Sequence, residues 1–221
     1  MKNSNLSSIP MIALAGNPNV GKSTIFNALT GLHQHTGNWS GKTVDLARGS
    51  CKIQNKFYSI VDLPGCYSLC STSKEEEIAR DFLIQKNPQL VVIICDPVSL
   101  ERNLTLVLQI LQFTSHALLC INLMDQAKKR GIHISCEKLE KELQIPVIAI
   151  TARKKTDIAR LKLAIAQAVS KNTCACPKPP AIEAACQSAY ADYASLLYQK
   201  VVTRRQVKPS SIKKHYFHAD S

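Results

Sequence analysis

Short apolar runs and longer stretches of helical spacing follow one another along this chain. Met11 to Ala15, Leu90 to Cys95, Ala117 to Asn122 and Pro146 to Ile150 are nearly unbroken apolar runs, as in strands buried on both faces. Val44 to Ile53 and Lys56 to Val61 read as two more strands, joined at Gln54-Asn55 in a hairpin. Helical patterns occupy Lys22 to Thr30, where Gly31 stops it, then about Leu100 to Phe113, Cys136 to Leu143 and Thr156 to Val169. The polar stretch from Leu32 to Gly41 reads as a long loop. Six strands alternating with helices predict an α/β fold with a mixed, mostly parallel sheet covered on both faces.

The pattern changes near residue 170. Pro177-Lys178-Pro179-Pro180 reads as a linker, and Ala181 to Thr203 as an amphipathic helix. That helix carries Tyr190, Tyr193, Leu196, Leu197 and Val201, so it must pack on something. We therefore expect a disordered N-terminus over residues 1–10, a main domain over 11–170, and a linker with a small helical segment over 171–221. No internal repeat is visible.

Composition narrows the class only modestly. Of 221 residues 45% are hydrophobic and 20% charged, with 8 Gly and 10 Pro; this excludes wholesale disorder and a collagen-like chain. The most apolar stretch, Asn103 to Ile121, is broken by Gln109, Gln112, Ser115 and His116, short of a membrane span. Met1 to Pro10 lacks the apolar core of a secretory signal, so the chain as written reads as soluble and cytoplasmic. Nine scattered cysteines read as reduced thiols. Cys95 and Cys120 act as small core hydrophobes, and Cys174-x-Cys176 lacks the second pair that a zinc site needs. A net charge of +12 attracts phosphates without saying whether they belong to nucleotide, RNA or lipid.

One segment says more. Gly16-Asn17-Pro18-Asn19-Val20-Gly21-Lys22-Ser23 fits G-x-x-x-x-G-K-[ST], with a strand before it and a helix after. Such a loop aims backbone N–H groups at a phosphate at the positive end of a helix. The phosphate set is Asn17, Pro18, Asn19, Val20, Gly21, Lys22, Ser23, Thr24 and, from the next motif, Gly65. Lys22 would reach the β- and γ-phosphates, and the Ser23 hydroxyl would ligate Mg²⁺. Asp62-Leu63-Pro64-Gly65 also follows an apolar strand, placing a carboxylate for a Mg²⁺-bound water and the Gly65 N–H for the γ-phosphate. Asn122-Leu123-Met124-Asp125 fits N-x-x-D, in which Asp125 accepts from guanine N1–H and the 2-amino group. Adenine presents a lone pair there, so the carboxylate would be left unpaired. A backbone N–H in Thr151-Ala152-Arg153 is placed to read guanine O6. Singly the short motifs are weak; in this order, each after an apolar strand, they describe a guanine-nucleotide-binding GTPase domain.

Residues Gly16–Ser23, Thr36–Val44, Asp62–Gly65 with Tyr67-Ser68-Leu69, and Asn122–Asp125 resemble the cytosolic G domain of ferrous iron transport protein B (FeoB). Glu75–Asp81 and Leu100–Leu104 are similar to that family too, and the match spans about residues 10–170. The resemblance implies a Ras-like P-loop GTPase fold. It also implies a following helical domain that modulates nucleotide release, and a membrane portion that moves Fe²⁺, placing the chain at the cytoplasmic face of the bacterial inner membrane. Asn38, Trp39, Ser40, Gly41, Lys42 and Thr43 would form switch I, with Thr43 closing on Mg²⁺; Asp62, Leu63, Pro64, Gly65 and Cys66 would begin switch II. The metal set is then Ser23, Thr43 and Asp62 for Mg²⁺, with Asn19 for K⁺ completed by switch I carbonyls near Trp39.

Three departures matter. Cys66 stands where many small GTPases place a water-orienting Gln, which implies slow intrinsic hydrolysis with backbone groups positioning water and K⁺ supplying charge. Lys42 replaces a usually apolar residue, and Thr151 a commoner Ser whose hydroxyl lacks the extra methyl. The run Glu75–Glu77 is read as a solvated first helical turn rather than an Fe²⁺ contact, and His33 and His35 as loop residues. The expected partners are GTP and GDP and the transporter's membrane portion; a homo-oligomer is left open and nucleic acid is not expected. Rival readings are a K⁺-activated GTPase of ribosome or tRNA maturation, and a switch that binds GTP without hydrolysing it. Asp125→Asn should lose guanine preference and gain xanthine preference in a competition assay; an unchanged preference overturns the base assignment.

Overall fold

The computed structural model describes residues 9–31, 34–38, 45–70, 73–170 and 187–205. In chain order the first half comprises β1 (Met11–Gly16), α1 (Lys22–Thr30), β2 (Gln34–Asn38), β3 (Asp45–Ile53), β4 (Lys56–Asp62), α2 (Lys74–Lys86), β5 (Leu90–Cys95) and α3 (Leu100–Phe113). The second half comprises β6 (Ala117–Ile121), α4 (Met124–Lys129), β7 (Ile132–Ile134), α5 (Cys136–Leu143), β8 (Val147–Ala149), α6 (Lys155–Ser170), α7 (Gln187–Val201) and β9 (Val202–Arg204).

The main sheet runs β2-β3-β4-β1-β5-β6-β8. β1 lies between β4 and β5, parallel to both, and β6 and β8 extend the parallel half. β5 is buried at every position, as its unbroken apolar run requires of a strand covered on both sides. β3 and β4 form the expected antiparallel hairpin, with Ile53 opposite Lys56 across the Gln54-Asn55 turn. Gln54 takes a positive φ of 52°, the left-handed region that tight two-residue hairpin turns use.

The α/β class and the six expected strands are present. The sheet has a seventh, β2, where the sequence reads as loop. Gln-His-Thr-Gly-Asn carries no apolar alternation; the strand exists through its backbone ladder to β3, from Gln34 opposite Gly49 to Asn38 opposite Asp45. An edge strand needs only one partner's N–H and C=O groups, so its side chains carry little signal. Most of the expected disordered N-terminus, the Cys174-x-Cys176 pair and the linker lie outside the described residues.

Helices cover both faces. α1 and α6 pack on one through Ile25, Phe26, Leu29, Ile158, Leu161 and Ile165. The other face receives α2, α3 and α5 through Ile78, Phe82, Leu104, Val107 and Leu139. The same core contains Tyr190, Ala194, Leu197 and Val201 of α7, so the surface that the terminal helix needed is supplied by α3. Backbone bonds reinforce the join: Ser135 donates to Val201 O at 2.9 Å and Arg205 to Gly131 O at 2.8 Å, while β9 pairs antiparallel with β7. Lys200 Nζ also reaches Glu142 at 3.1 Å, an exposed pair contributing little.

Leu197 is fully buried, so Leu197→Ala should cost about 2–5 kcal/mol in urea unfolding. A loss below about 0.5 kcal/mol, the scale of surface changes, would show that α7 is not part of this core.

Candidate nucleotide site

The sheet brings the four predicted loops to one end, at the C-terminal tips of β1, β4, β6 and β8. The loop after β1 surrounds a cavity of about 450 Å³ lined by Asn17, Pro18, Asn19, Gly21, Lys22, Ser23, Thr24 and Gly65. All were expected at the phosphates; Val20, the remaining loop member, is instead buried in the core beside α1. Gly21 is the position where only glycine serves. Its φ is +84°, and a Cβ there would collide with the Asn122 side-chain nitrogen. Gly21 O accepts from Ile25 N–H at 3.1 Å, so the loop runs directly into α1, whose first turn faces the cavity.

Lys22 Nζ donates to Asp62 Oδ1 at 2.5 Å, both side chains being 12% exposed. Burial pushes the Asp62 carboxyl above the usual carboxylate range, while the Lys22 ammonium and the Ser23 hydroxyl oppose that rise. A hydroxyl, a carboxylate and a lysine thus converge at one spot, a hard-oxygen donor set of the kind that Mg²⁺ takes beside phosphate. Gly65 lies against the loop: a Cβ on it would sit 3.2 Å from Pro18 N and Cα. Cys66 N–H points to Gly16 O at 3.4 Å.

The base-reading end rests on one side chain. Asn122 is fully buried. Its Nδ2 donates to Val20 O at 3.1 Å, and its Oδ1 accepts from Ala152 N–H at 3.0 Å. Thr151 N–H is held by Asp157 Oδ2 at 2.8 Å. With those two N–H groups engaged, Arg153 offers the remaining amide of the three. Leu123 takes a left-handed φ of 59° to start α4, which puts Asp125 in the first turn. Asp125 Oδ1 is buried and has no hydrogen-bond partner among the described residues, as fits an acceptor awaiting a ligand donor.

Sequence reasoning missed how switch II is held. Glu76 was expected in solvent. It is 7% exposed and its Oε1 accepts from Ser68 N–H at 3.1 Å. Gln109 Oε1 accepts from Leu69 N–H at 2.9 Å, and Arg80 Nη1 donates to Leu69 O at 3.3 Å. Arg102 stacks over the Tyr67 ring at 4.7 Å. A polar residue inside an apolar helical stripe, as Gln109 is, was the available signal. Cys66 is buried, and its thiol is pushed up to about 12 by burial first and the Glu76 charge second. It is therefore neutral and offers no base. Asn19 is exposed with φ 66° and makes no loop-capping hydrogen bond among the described residues. Asn38 lies at the end of β2, whereas Trp39, Ser40, Gly41, Lys42 and Thr43 fall outside the described residues.

The family model for ferrous iron transport protein B matches residues 10–165. The chain belongs to that family. It is 40% identical over 166 residues to the Fe(2+) transporter FeoB of Helicobacter pylori strain J99, covering 74% of this chain and 26% of that protein. Against the Fe(2+) transporter FeoB of Escherichia coli K12 it is 40% identical over 158 residues, covering 70% and 20%. This chain thus spans about a quarter of the first relative's length and a fifth of the second's. The FeoB cytosolic domain of T. maritima in a GDP form superposes with a TM-score of 0.72 at 39% identity, covering 75% of this chain and 65% of that one. The FeoB G-domain from Methanococcus jannaschii gives 0.65 at 47% identity, covering 74% and 99%. The described FeoB-like region is therefore a G domain with the P-loop GTPase fold. Among the described residues no helix is long and apolar enough to cross a membrane.

Of the six described cysteines, Cys70 alone is exposed. Brief iodoacetamide treatment of the native protein should label Cys70 well before Cys66, read by peptide mass spectrometry. Equal labelling contradicts the buried, neutral thiol beside the cavity.

Proposed function

We propose that this chain binds GTP with Mg²⁺ and hydrolyses it slowly to GDP and phosphate. It would act as the cytosolic switch of a ferrous iron transporter whose membrane portion carries Fe²⁺. The observation that carries the reading is Asn122, which bonds the phosphate loop with one end of its amide and the Thr151–Arg153 loop with the other. Phosphate and purine recognition thereby share one rigid element, and Asp125 beside it keeps an unmatched acceptor for a guanine edge.

On this reading Lys22 leaves Asp62 for the β- and γ-phosphates when nucleotide enters. The Ser23 hydroxyl, the Asp62 carboxylate and Thr43 of switch I would then hold Mg²⁺. Bound Mg²⁺ supplies charge neutralisation at the phosphate oxygens. Water attacks the γ-phosphorus as the bond to the β–γ bridging oxygen breaks; GDP leaves with that bond's electron pair, the water's proton passes to the released phosphate, and the Gly65 N–H supports the charge spread over the γ-oxygens. Cys66 neither orients nor deprotonates that water, so backbone groups position it and hydrolysis is slow. Asn19, exposed at the cavity mouth, would help ligate K⁺, with switch I carbonyls completing the shell. Support for the transport role is the resemblance to full-length Fe(2+) transporters, in which the equivalent region is a fraction of the chain. Residues 171–221 would begin the segment linking the switch to the remainder.

Calorimetry with Mg²⁺ should show GTP and GDP binding and ATP failing to compete. GTP turnover should be faster in K⁺ than in Na⁺, and Asn19→Ala should erase that difference. Equal binding of adenine and guanine nucleotides sinks the nucleotide reading; equal wild-type rates in the two salts sink potassium assistance alone.

A further inference from the structure

Three buried side chains at the seat of switch II hold hydrogen-bonding capacity that the described conformation does not use. Asn17 is 1% exposed, and neither its Oδ1 nor its Nδ2 has a partner among the described residues. Glu76 Oε2 and Gln109 Nε2 are also unmatched, although Oε1 of each side chain accepts a loop N–H. Native interiors seldom leave such groups unmatched, and here they gather around a single loop.

Asn17 is the most exacting of the three. It lines the phosphate cavity, yet its side chain is shut from solvent and wholly unpaired. Both its neighbours touch the start of switch II: Gly16 O takes the long 3.4 Å bond from Cys66 N–H, and Pro18 packs against Gly65. A nonpolar residue would fill this place at less cost if the described seating were the only one that mattered. An amide there points to a second seating, in which backbone groups of the loop reach it.

We propose that Asn17 is a positioning residue, whose side-chain amide captures the switch II backbone between Gly65 and Ser68 when a γ-phosphate draws that loop onto the phosphate cavity. This rests on the nucleotide reading above and adds to it the group that holds the loop closed. Oδ1 accepts a loop N–H and Nδ2 donates to a loop carbonyl, fixing Gly65 over the γ-phosphate. The closed seating gains bonds that the described one lacks, the differential interaction that a ligand-driven switch requires. GDP has no γ-phosphate to draw the loop in, so its binding does not depend on the capture.

The test compares wild type with Asn17→Leu, which is nearly isosteric, and Asn17→Ala, which guards against a variant that fails to fold. GDP affinity by calorimetry should fall by a smaller factor than the hydrolysis rate, since GDP does not draw the loop in. Single-turnover GTP hydrolysis with Mg²⁺ and K⁺ should slow on the order of tenfold, because the loop that seats Gly65 is no longer held in place. The melting temperature of nucleotide-free Asn17→Leu should equal or exceed wild type, because an unmatched buried amide has been removed. Unchanged hydrolysis with GDP binding intact overturns the proposal. So does a joint fall in GDP affinity, hydrolysis and melting temperature, which marks a merely structural side chain. A wild-type protein that binds neither nucleotide overturns the nucleotide reading and this proposal together.

Discussion

Asn122 sits at the tip of β6 with no exposed surface and uses both ends of its amide, one on Val20 O and the other on the Ala152 N–H. One of the two loops it joins lies 102 residues before it in sequence and the other 30 residues after it. Neither loop has an internal ladder to set its position. The amide supplies it, and in a dry setting a two-sided bond of this kind is stiff. Gly21 lacks a Cβ because Asn122 occupies that space. On the proposed nucleotide reading, the spacing between phosphate and purine would be set by one side chain and the strand that carries it.

Electrostatics follow from that placement. Lys22 and Asp62 meet at the mouth of the cavity largely out of water, where charges act through a lower effective dielectric than at the surface. Burial pushes the Asp62 carboxyl up; the ammonium and the Ser23 hydroxyl work against that. An arriving polyphosphate would compete for Lys22, and a divalent cation for Asp62. The pair therefore holds a polar site in order until ligands replace each partner.

Switch II is gripped from the helical layer rather than by its own chain. Glu76 and Arg80 reach it from α2, Gln109 and Arg102 from α3. α3 also supports α7, so the segment predicted as switch II and the first described helix beyond residue 170 bear on one common element. A displacement of α3 would be felt at both, through packed side chains with little room to absorb it.

The amino-acid order alone decided much. The strand runs, the phosphate loop, Asp62–Gly65 and Asn122–Asp125 were legible because each depends on local chemistry: apolar continuity, glycine where the chain must bend, a carboxylate after a strand. β2 was not legible, since an edge strand bonds through backbone and asks little of its side chains. Glu76 looked like a solvated acid of a first helical turn, and only the fold of the 68–70 segment over α2 turns it inward. The surface beneath α7, the two-loop bond of Asn122 and the unmatched amide of Asn17 likewise belong to tertiary structure. Each depends on residues far apart in sequence arriving within hydrogen-bond or packing distance, which no local pattern encodes.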